Sequence, residues 1–306
     1  MKKFVLIFMI ILALAGCSVS RPESPGETLT LMTWNVHNLF DGKDDGYEYA
    51  EYRQSSGWSE EKYLGRLNSI CAAIGRIEPL PDIIVFQEIE SLKILEDLAS
   101  LLPKGYYWGH FANNPESAIG LGIISRFPIL EAFAHSININ KTAIPRPVLE
   151  VRVQDIVVFI CHWKSKIGGA DKTEFLREAA AQIILRRCGE IWETEPELGI
   201  IIAGDLNMRI DELESIFAID TLWFSPWINE LENGSYFYRG NWETIDHFLV
   251  SRQFFNDDIG WAYRNSAVIN FEPFAAPDGT PVPYNPRTGY GLSDHFPLLM
   301  ILTAKR

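Results

Sequence analysis

Residues 200–207 read IIIAGDLN. Three isoleucines and an alanine make a run short enough for a strand and apolar enough to be buried on both faces. Ile200–Ala203 is therefore expected to be an interior strand. Gly204 closes it, and Asp205 and Asn207 follow at once. A polar pair after one strand is by default a turn former. The pattern recurs, however, and the recurrence points to metal or proton-transfer chemistry. Leu29–Val36 reads as a strand that runs into TWNVHN and carries Asn35 at its end. Asp82–Gln87 runs into VFQE and ends on Glu88, and Ile156–His162 ends on His162 within VFICHWKS. Asp246 lies in TIDHFLVS, at the start of an expected strand Thr244–Val250. Asp294 and His295, in SDHFP, stand just before another, Pro297–Thr303.

Amphipathic segments alternate with these runs, which is an α/β pattern. Trp58–Ile77 is an expected helix, with Ser59 as its cap and Glu60 and Glu61 in the first turn. Leu64, Leu67, Ile70, Ile74 and Ile77 share one face at helical spacing. Ser91–Leu102 reads as a second helix. Asp171 with Glu174 reads as a capping box opening a third, to about Trp192. Ile119–Ser125 and Val148–Val153 are further strands. Residues 40–58 are rich in Asp, Gly and Tyr and read as a long solvated loop. Their Asp-Asp-Gly lacks the ligand spacing of an EF-hand.

The N-terminus reads differently. Lys2 and Lys3 precede an apolar run from Phe4 to Leu14, and Leu14-Ala15-Gly16-Cys17 ends it. That order is a secretory signal, and its ending resembles a bacterial lipobox, which implies cleavage before a lipidated Cys17; a plain signal peptide with an incidental Cys is the alternative. Residues 1–16 are then the signal peptide, 17–28 a flexible tether and 29–306 one domain. Cys71, Cys161 and Cys188 remain; three thiols allow one disulfide at most, and buried small hydrophobes are the default. The net charge of −13 argues against a high-affinity nucleic-acid binder and leaves enzymes open. No Walker A loop or Cys-x-x-Cys pair points to other chemistry.

Taken in order, TWN, QE, the strand-end His162, GDLN and SDHFP resemble the motif series of the endonuclease/exonuclease/phosphatase superfamily, from about residue 29 to 304. The resemblance implies a deoxyribonuclease I-like fold, an α/β four-layer sandwich of two mixed β-sheets flanked by helices, with the site at one end between the sheets. It implies a monomeric, divalent-metal-dependent phosphodiester hydrolase. Glu88 would bind Mg²⁺, or Mn²⁺, with Ca²⁺ as a further candidate; Asn35 would stand beside that metal and Asp294 would be a second metal-proximal carboxylate. Asp205 would orient or deprotonate the attacking water, with Asn207 as its neighbour on the phosphate. His295 would act as acid–base or donor, held in one tautomer by Asp246. His162 stands where repair-type members carry a Tyr, as in the deoxyribonuclease-like and sphingomyelinase-like branches, and would protonate the leaving oxygen. Arg146, in PRPVLEV, matches a phosphate contact. The substrate expected first is DNA or RNA outside the cytoplasm, on a bacterial membrane to which Cys17 anchors the chain. A phospholipid phosphodiesterase and an inositol-phosphate phosphatase are the enzymatic alternatives, and a lipid-anchored binding module with an inactive site is the non-enzymatic one.

Overall fold

Side-chain alternation decides which residues meet. In the first strand, β1 (Thr28–Leu39), Leu29 and Leu31 join one apolar cluster, while Met32, Trp34 and Val36 join another on the opposite face. The computed structural model describes residues 27–305 except 104, 107, 115–116, 140–141, 144–145, 167, 228–233 and 257–259. The expected signal peptide, Cys17 and nearly all of the expected tether therefore lie outside the described residues. Thr28, the last residue assigned to the tether, pairs with Thr303.

The other elements follow in chain order. α1 (Glu60–Ile74) and β2 (Ile83–Ile89) lead to α2 (Leu92–Leu101), β3 (Trp108–Ala112), β4 (Gly120–Ser125) and β5 (Ile129–His135). A small hairpin, β6 (Asn138–Ile139) with β7 (Thr142–Ala143), precedes β8 (Val148–Val153), β9 (Ile156–His162) and α3 (Ala170–Thr194). Next come β10 (Gly199–Asp205), α4 (Ile210–Glu214) and β11 (Trp223–Phe224). A second hairpin, β12 (Tyr236–Tyr238) with β13 (Asn241–Glu243), leads to β14 (Asp246–Ser251), β15 (Trp261–Val268) and β16 (Leu298–Ala304).

Two six-stranded sheets result, in the orders β15-β16-β1-β2-β4-β3 and β11-β14-β10-β9-β8-β5. Both are mixed: β1 with β2 and β9 with β10 are parallel, and their other pairs are antiparallel. Three apolar layers hold the stack. One lies between α1, α2 and the first sheet, around Trp34, Leu67 and Phe86. The second fills the space between the sheets, around Leu31, Val85, Ile160 and Ile201. The third lies between the second sheet and α3, around Phe159, Ile184 and Ile202. The fold is thus the expected two-sheet α/β sandwich.

Several local expectations need correction. Ser59 does cap α1, accepting from the Lys62 N–H at 3.4 Å, so Trp58 stays outside the helix. Leu64 is 44% exposed. It lies about 100° round the helix from Tyr63, which is buried with Leu67, Ile70 and Ile74. The capping box at Asp171 is absent: Gly169 occupies the N-cap of α3, and Asp171 sits in the first turn, where its charge suits the dipole. The 40–58 loop is not merely solvated. Phe40, Tyr52 and Trp58 are buried in it, with the Phe40 and Tyr52 rings 4.7 Å apart. Cys71, Cys161 and Cys188 are buried unpaired thiols.

Candidate active site

The inter-sheet rows run out of apolar residues at one edge, and the polar residues that end them converge. On β9 the row Ile156, Val158, Ile160 ends in His162; on β10 Ile201 and Ala203 end in Asp205. β14 runs the other way, so Asp246 precedes Phe248 and Val250 at the same edge. Asp205 pairs with His162 on one side and Asp246 on the other, which places the three on neighbouring strands. On β1 the row Leu29, Leu31, Thr33 ends in Asn35 by the same alternation. Gly204 makes this close approach possible. Its φ is +131°, and a Cβ there would fall 2.1 Å from the Cys161 carbonyl oxygen.

Glu88 reaches the site by breaking the rule. Strict alternation would send it to the helix-covered face with Ile84 and Phe86. The register of β2 shifts between Gln87 and Ile89, and Glu88 takes a φ of +65°. This bulge turns the carboxylate into the cleft. β1 shifts beside it, with φ of +57° at His37 and +60° at Asn38. Asn207 stands at +50°. Backbone strain therefore collects where functional groups do.

The contacts are short. Asn35 Nδ2 donates to Glu88 Oε1 and to Asp205 Oδ2, both at 3.2 Å. The Asn38 N–H donates to Glu88 Oε2 at 2.8 Å. His162 Nε2 lies 3.5 Å from Glu88 Oε1 and 3.6 Å from Asp205 Oδ2. His295 Nδ1 and Asp246 Oδ2 are 2.8 Å apart, and the Ser235 hydroxyl donates to the same oxygen at 2.6 Å. Asp294 Oδ1 is 4.0 Å from His295 Nε2 and 3.9 Å from His37 Nδ1. The Asn207 N–H donates to Asp205 Oδ1 at 2.9 Å. Its side-chain amide, expected to face phosphate, donates to the Trp163 carbonyl at 3.1 Å. Arg146 reaches the same carbonyl and lines the cleft. Of the nine residues named from the sequence in residues 29–306, seven line one hollow of about 550 Å³, and Asn35 and Asp246 stand behind it, bonded to Glu88 and His295. A larger hollow, about 930 Å³, lies between α1 and residues 270–292, away from these groups; it holds none of the clustered carboxylates or imidazoles.

Burial and crowding set the proton affinities. Asp205 is pushed up to about 7, first by burial and then by the Asp246 carboxylate, against the pull of His295 and Arg146. Burial works against charge on His295, but Asp246 outweighs it, with Asp294 and Asp205 adding, and the imidazole rises to about 10. His162 falls well below its ordinary value through burial, reinforced by Arg146, His295 and Lys164. The site therefore pairs a carboxyl group near neutrality with one cationic and one neutral imidazole. Asp205, Asp246 and His295 offer atoms within 4.8 Å of one another. Asp246 is committed to His295 and Ser235, whereas the Glu88 carboxylate meets an amide, a backbone N–H and an imidazole.

Sequence reading missed the supports. Arg66, buried in α1, donates through Nη2 to the Val36 and His37 carbonyls, both at 2.6 Å, and through Nη1 to that of Asn38 at 2.7 Å. Its guanidinium carbon lies 3.8 Å from the Tyr284 ring centre. It clamps the left-handed turn from which Asn38 holds Glu88. The Ser293 hydroxyl donates to the Asn35 carbonyl at 2.6 Å and accepts from the His295 N–H at 3.0 Å, tying the last segment to the first strand. The Tyr236 ring stacks on the His295 imidazole at 4.5 Å. Among these, only the aromatic-rich run Tyr236-Phe237-Tyr238 carried a compositional signal.

The profile described as Endonuclease/Exonuclease/phosphatase family matches residues 30–304. None of the curated proteins matches the chain. Among solved structures, an endonuclease/exonuclease/phosphatase family protein from Bacteroides thetaiotaomicron is similar, with 17% identity and a TM-score of 0.58 over 91% of this chain and 98% of that one. D. rerio TDP2 complexed with single-strand DNA product is similar at 16% identity and a TM-score of 0.60, over 91% of this chain and 100% of that one. The Bacteroides vulgatus endonuclease/exonuclease/phosphatase follows at 17% and 0.57, over 90% and 99%. At these identities the likeness is one of fold.

Proposed function

The chain belongs to the endonuclease/exonuclease/phosphatase family, and from that premise we propose that it is a divalent-metal-dependent phosphodiester hydrolase, a low-specificity nuclease held by lipid on the extracytoplasmic side of a bacterial membrane. The observation that carries the reading is the buried Asp205, near neutrality, facing the His295–Asp246 pair in one cleft. The oxygen set fits Mg²⁺ or Mn²⁺: Glu88 presents a carboxylate that Asn35 orients through Nδ2, its own Oδ1 accepting from the His37 N–H at 3.0 Å, and further carboxylates crowd the cleft. A bound divalent cation would supply charge neutralisation at the phosphoryl group. Asp205 would take the proton of the attacking water, as a base with a pKa near the working pH does best. His295, kept protonated by Asp246, would donate through Nε2 to a phosphoryl oxygen. His162, neutral in this setting, would hydrogen-bond the departing oxygen, which solvent protonates, and Arg146 would orient the phosphate.

A nuclease is favoured because Arg146 and Arg239 stand in the cleft to meet phosphates once a cation offsets its carboxylates, and because TDP2, similar in fold, is described with single-strand DNA product. Full-length protein in detergent is expected to cleave DNA and RNA with Mg²⁺ or Mn²⁺ and to stop in EDTA. Faster turnover of sphingomyelin or inositol phosphates under the same conditions would replace the nuclease with a lipid diesterase or phosphatase; no metal-dependent hydrolysis of any of them would leave a binding module. The anchor rests on Lys2, Lys3 and the Leu-Ala-Gly-Cys ending at Cys17. Fatty-acid labelling in cells should mark the wild type and miss Cys17→Ala; an unlabelled wild type released to the medium would remove it.

A further inference from the structure

The cleft has one wall that phosphoester chemistry does not use. It is the β12–β13 hairpin, which joins the site through a backbone bridge between Tyr236 and His295. From the imidazole outward its planar groups form a ladder. The Tyr236 ring lies 4.5 Å from that of His295 at 30°. The Tyr238 ring lies 6.0 Å beyond, within 12° of parallel. The Arg239 guanidinium stands over Tyr238, 5.1 Å from the ring centre. The i, i+2 spacing on a strand keeps Tyr236 and Tyr238 on one face. The near rung is fixed by packing on His295, while the far rung is open: Tyr238 is 44% exposed and Arg239 is exposed beside it. All three residues line the same hollow as Asp205 and Glu88.

Resting on the phosphodiesterase reading, we propose that Tyr238 and Arg239, backed by Tyr236, form a stacking platform for an unpaired nucleobase beside the scissile phosphate. An exposed aromatic face at the rim of a catalytic cleft suits a planar, π-rich group, and stacking of that kind tolerates any base. The arrangement selects single strands, because a base in a duplex already stacks on its neighbours. It disfavours a quaternary ammonium headgroup, whose positive charge the Arg239 cation beside the ring would repel. A neutral base entering between ring and guanidinium is instead stacked on one and capped by the other, with the positive charge left near the adjoining phosphate.

The test uses full-length protein in detergent, Mg²⁺, and a single-stranded oligonucleotide with one cleavable phosphodiester. The nucleotide beside that bond is either intact or an abasic tetrahydrofuran, placed on each side in turn. On one side the abasic substrate should raise KM about tenfold, the scale of one lost base–aromatic stack. Tyr238→Ala should raise KM about tenfold on the intact substrate and erase the difference between the two, while Tyr238→Phe keeps it. Equal KM for intact and abasic substrates in the wild type overturns the platform and leaves the nuclease standing. So does a Tyr238→Ala loss that is the same on both. Failure to cut either oligonucleotide, with turnover of sphingomyelin vesicles, overturns the nuclease reading and the platform together.

Discussion

The two ends of the sandwich treat carboxylates in opposite ways. At the entry of β2, Asp82 accepts from the Thr30 N–H at 3.0 Å, the Thr30 hydroxyl at 2.9 Å and Arg126 Nη1 at 2.6 Å. Both oxygens have a donor, and one donor is a full cation. At the exit of the same strand Glu88 faces Asn35, a backbone N–H and a neutral imidazole, with Asp205 and Asp246 on the neighbouring sheet. A carboxylate matched to an arginine ties two strands together. Carboxylates matched to amides and to one another store repulsion that only an added cation or proton relieves. The first end is built for stability and the second at its expense.

The comparison breaks most visibly at Asp205. Asp205→Asn and His295→Ala should each lower turnover by roughly 10²–10⁴-fold with the fold retained, checked by initial rates and circular dichroism. In EDTA the same Asp205→Asn protein should be the more stable one. The pKa of about 7 in the fold exceeds the unfolded value of about 3.9, so the ionised carboxylate costs stability increasingly as pH rises from about 4 to about 7. At pH 8 the variant should melt about 3 °C above wild type or more; a lower melting temperature would contradict the stored repulsion. Asp82→Asn should do the reverse. Losing one partner of a buried pair costs about 3 kcal/mol, read from urea unfolding, with turnover per folded molecule within about twofold of wild type. A large loss of turnover there would mean that the two ends are coupled.

Arg66→Lys should give the smallest effect and the sharpest one. A single ammonium cannot reach three carbonyls as the guanidinium fork does. The Mg²⁺ concentration for half-maximal activity should rise about tenfold, the scale seen when groups supporting metal ligands are removed, and saturating Mg²⁺ should restore turnover to within about threefold. Unchanged metal dependence would reduce Arg66 to a packing residue.

The strand ends were legible because a polar residue closing an apolar run is a local event. His162, Asp205 and Asp246 each announce themselves within a few residues, and alternation fixes the face they point to. Glu88 was named from its motif, but its direction depends on a register shift that no local pattern encodes. Arg66 reads in sequence as one more charge on an amphipathic helix; its partners, the carbonyls of residues 36–38, lie almost thirty positions away. Strands β3, β5 and β15 were also missed. β5 carries exposed Leu130 and Phe133 at an edge, where apolar alternation no longer reports burial. Leu64 failed for the converse reason, since spacing alone does not say where the covering layer stops.

Register gives these strand-end residues a second task, during folding. β9 and β10 are parallel neighbours with near-featureless Val and Ile interiors, and such strands have little side-chain identity to choose one alignment over the next. A slip of one residue flips every side chain to the other face. It would drive Asp205 towards the apolar layer under α3, where an unpaired carboxylate is costly to bury, and would bring the Gly204 gap out of line with the Cys161 carbonyl. The polar termini thus act as end stops, rejecting misaligned sheets before they close.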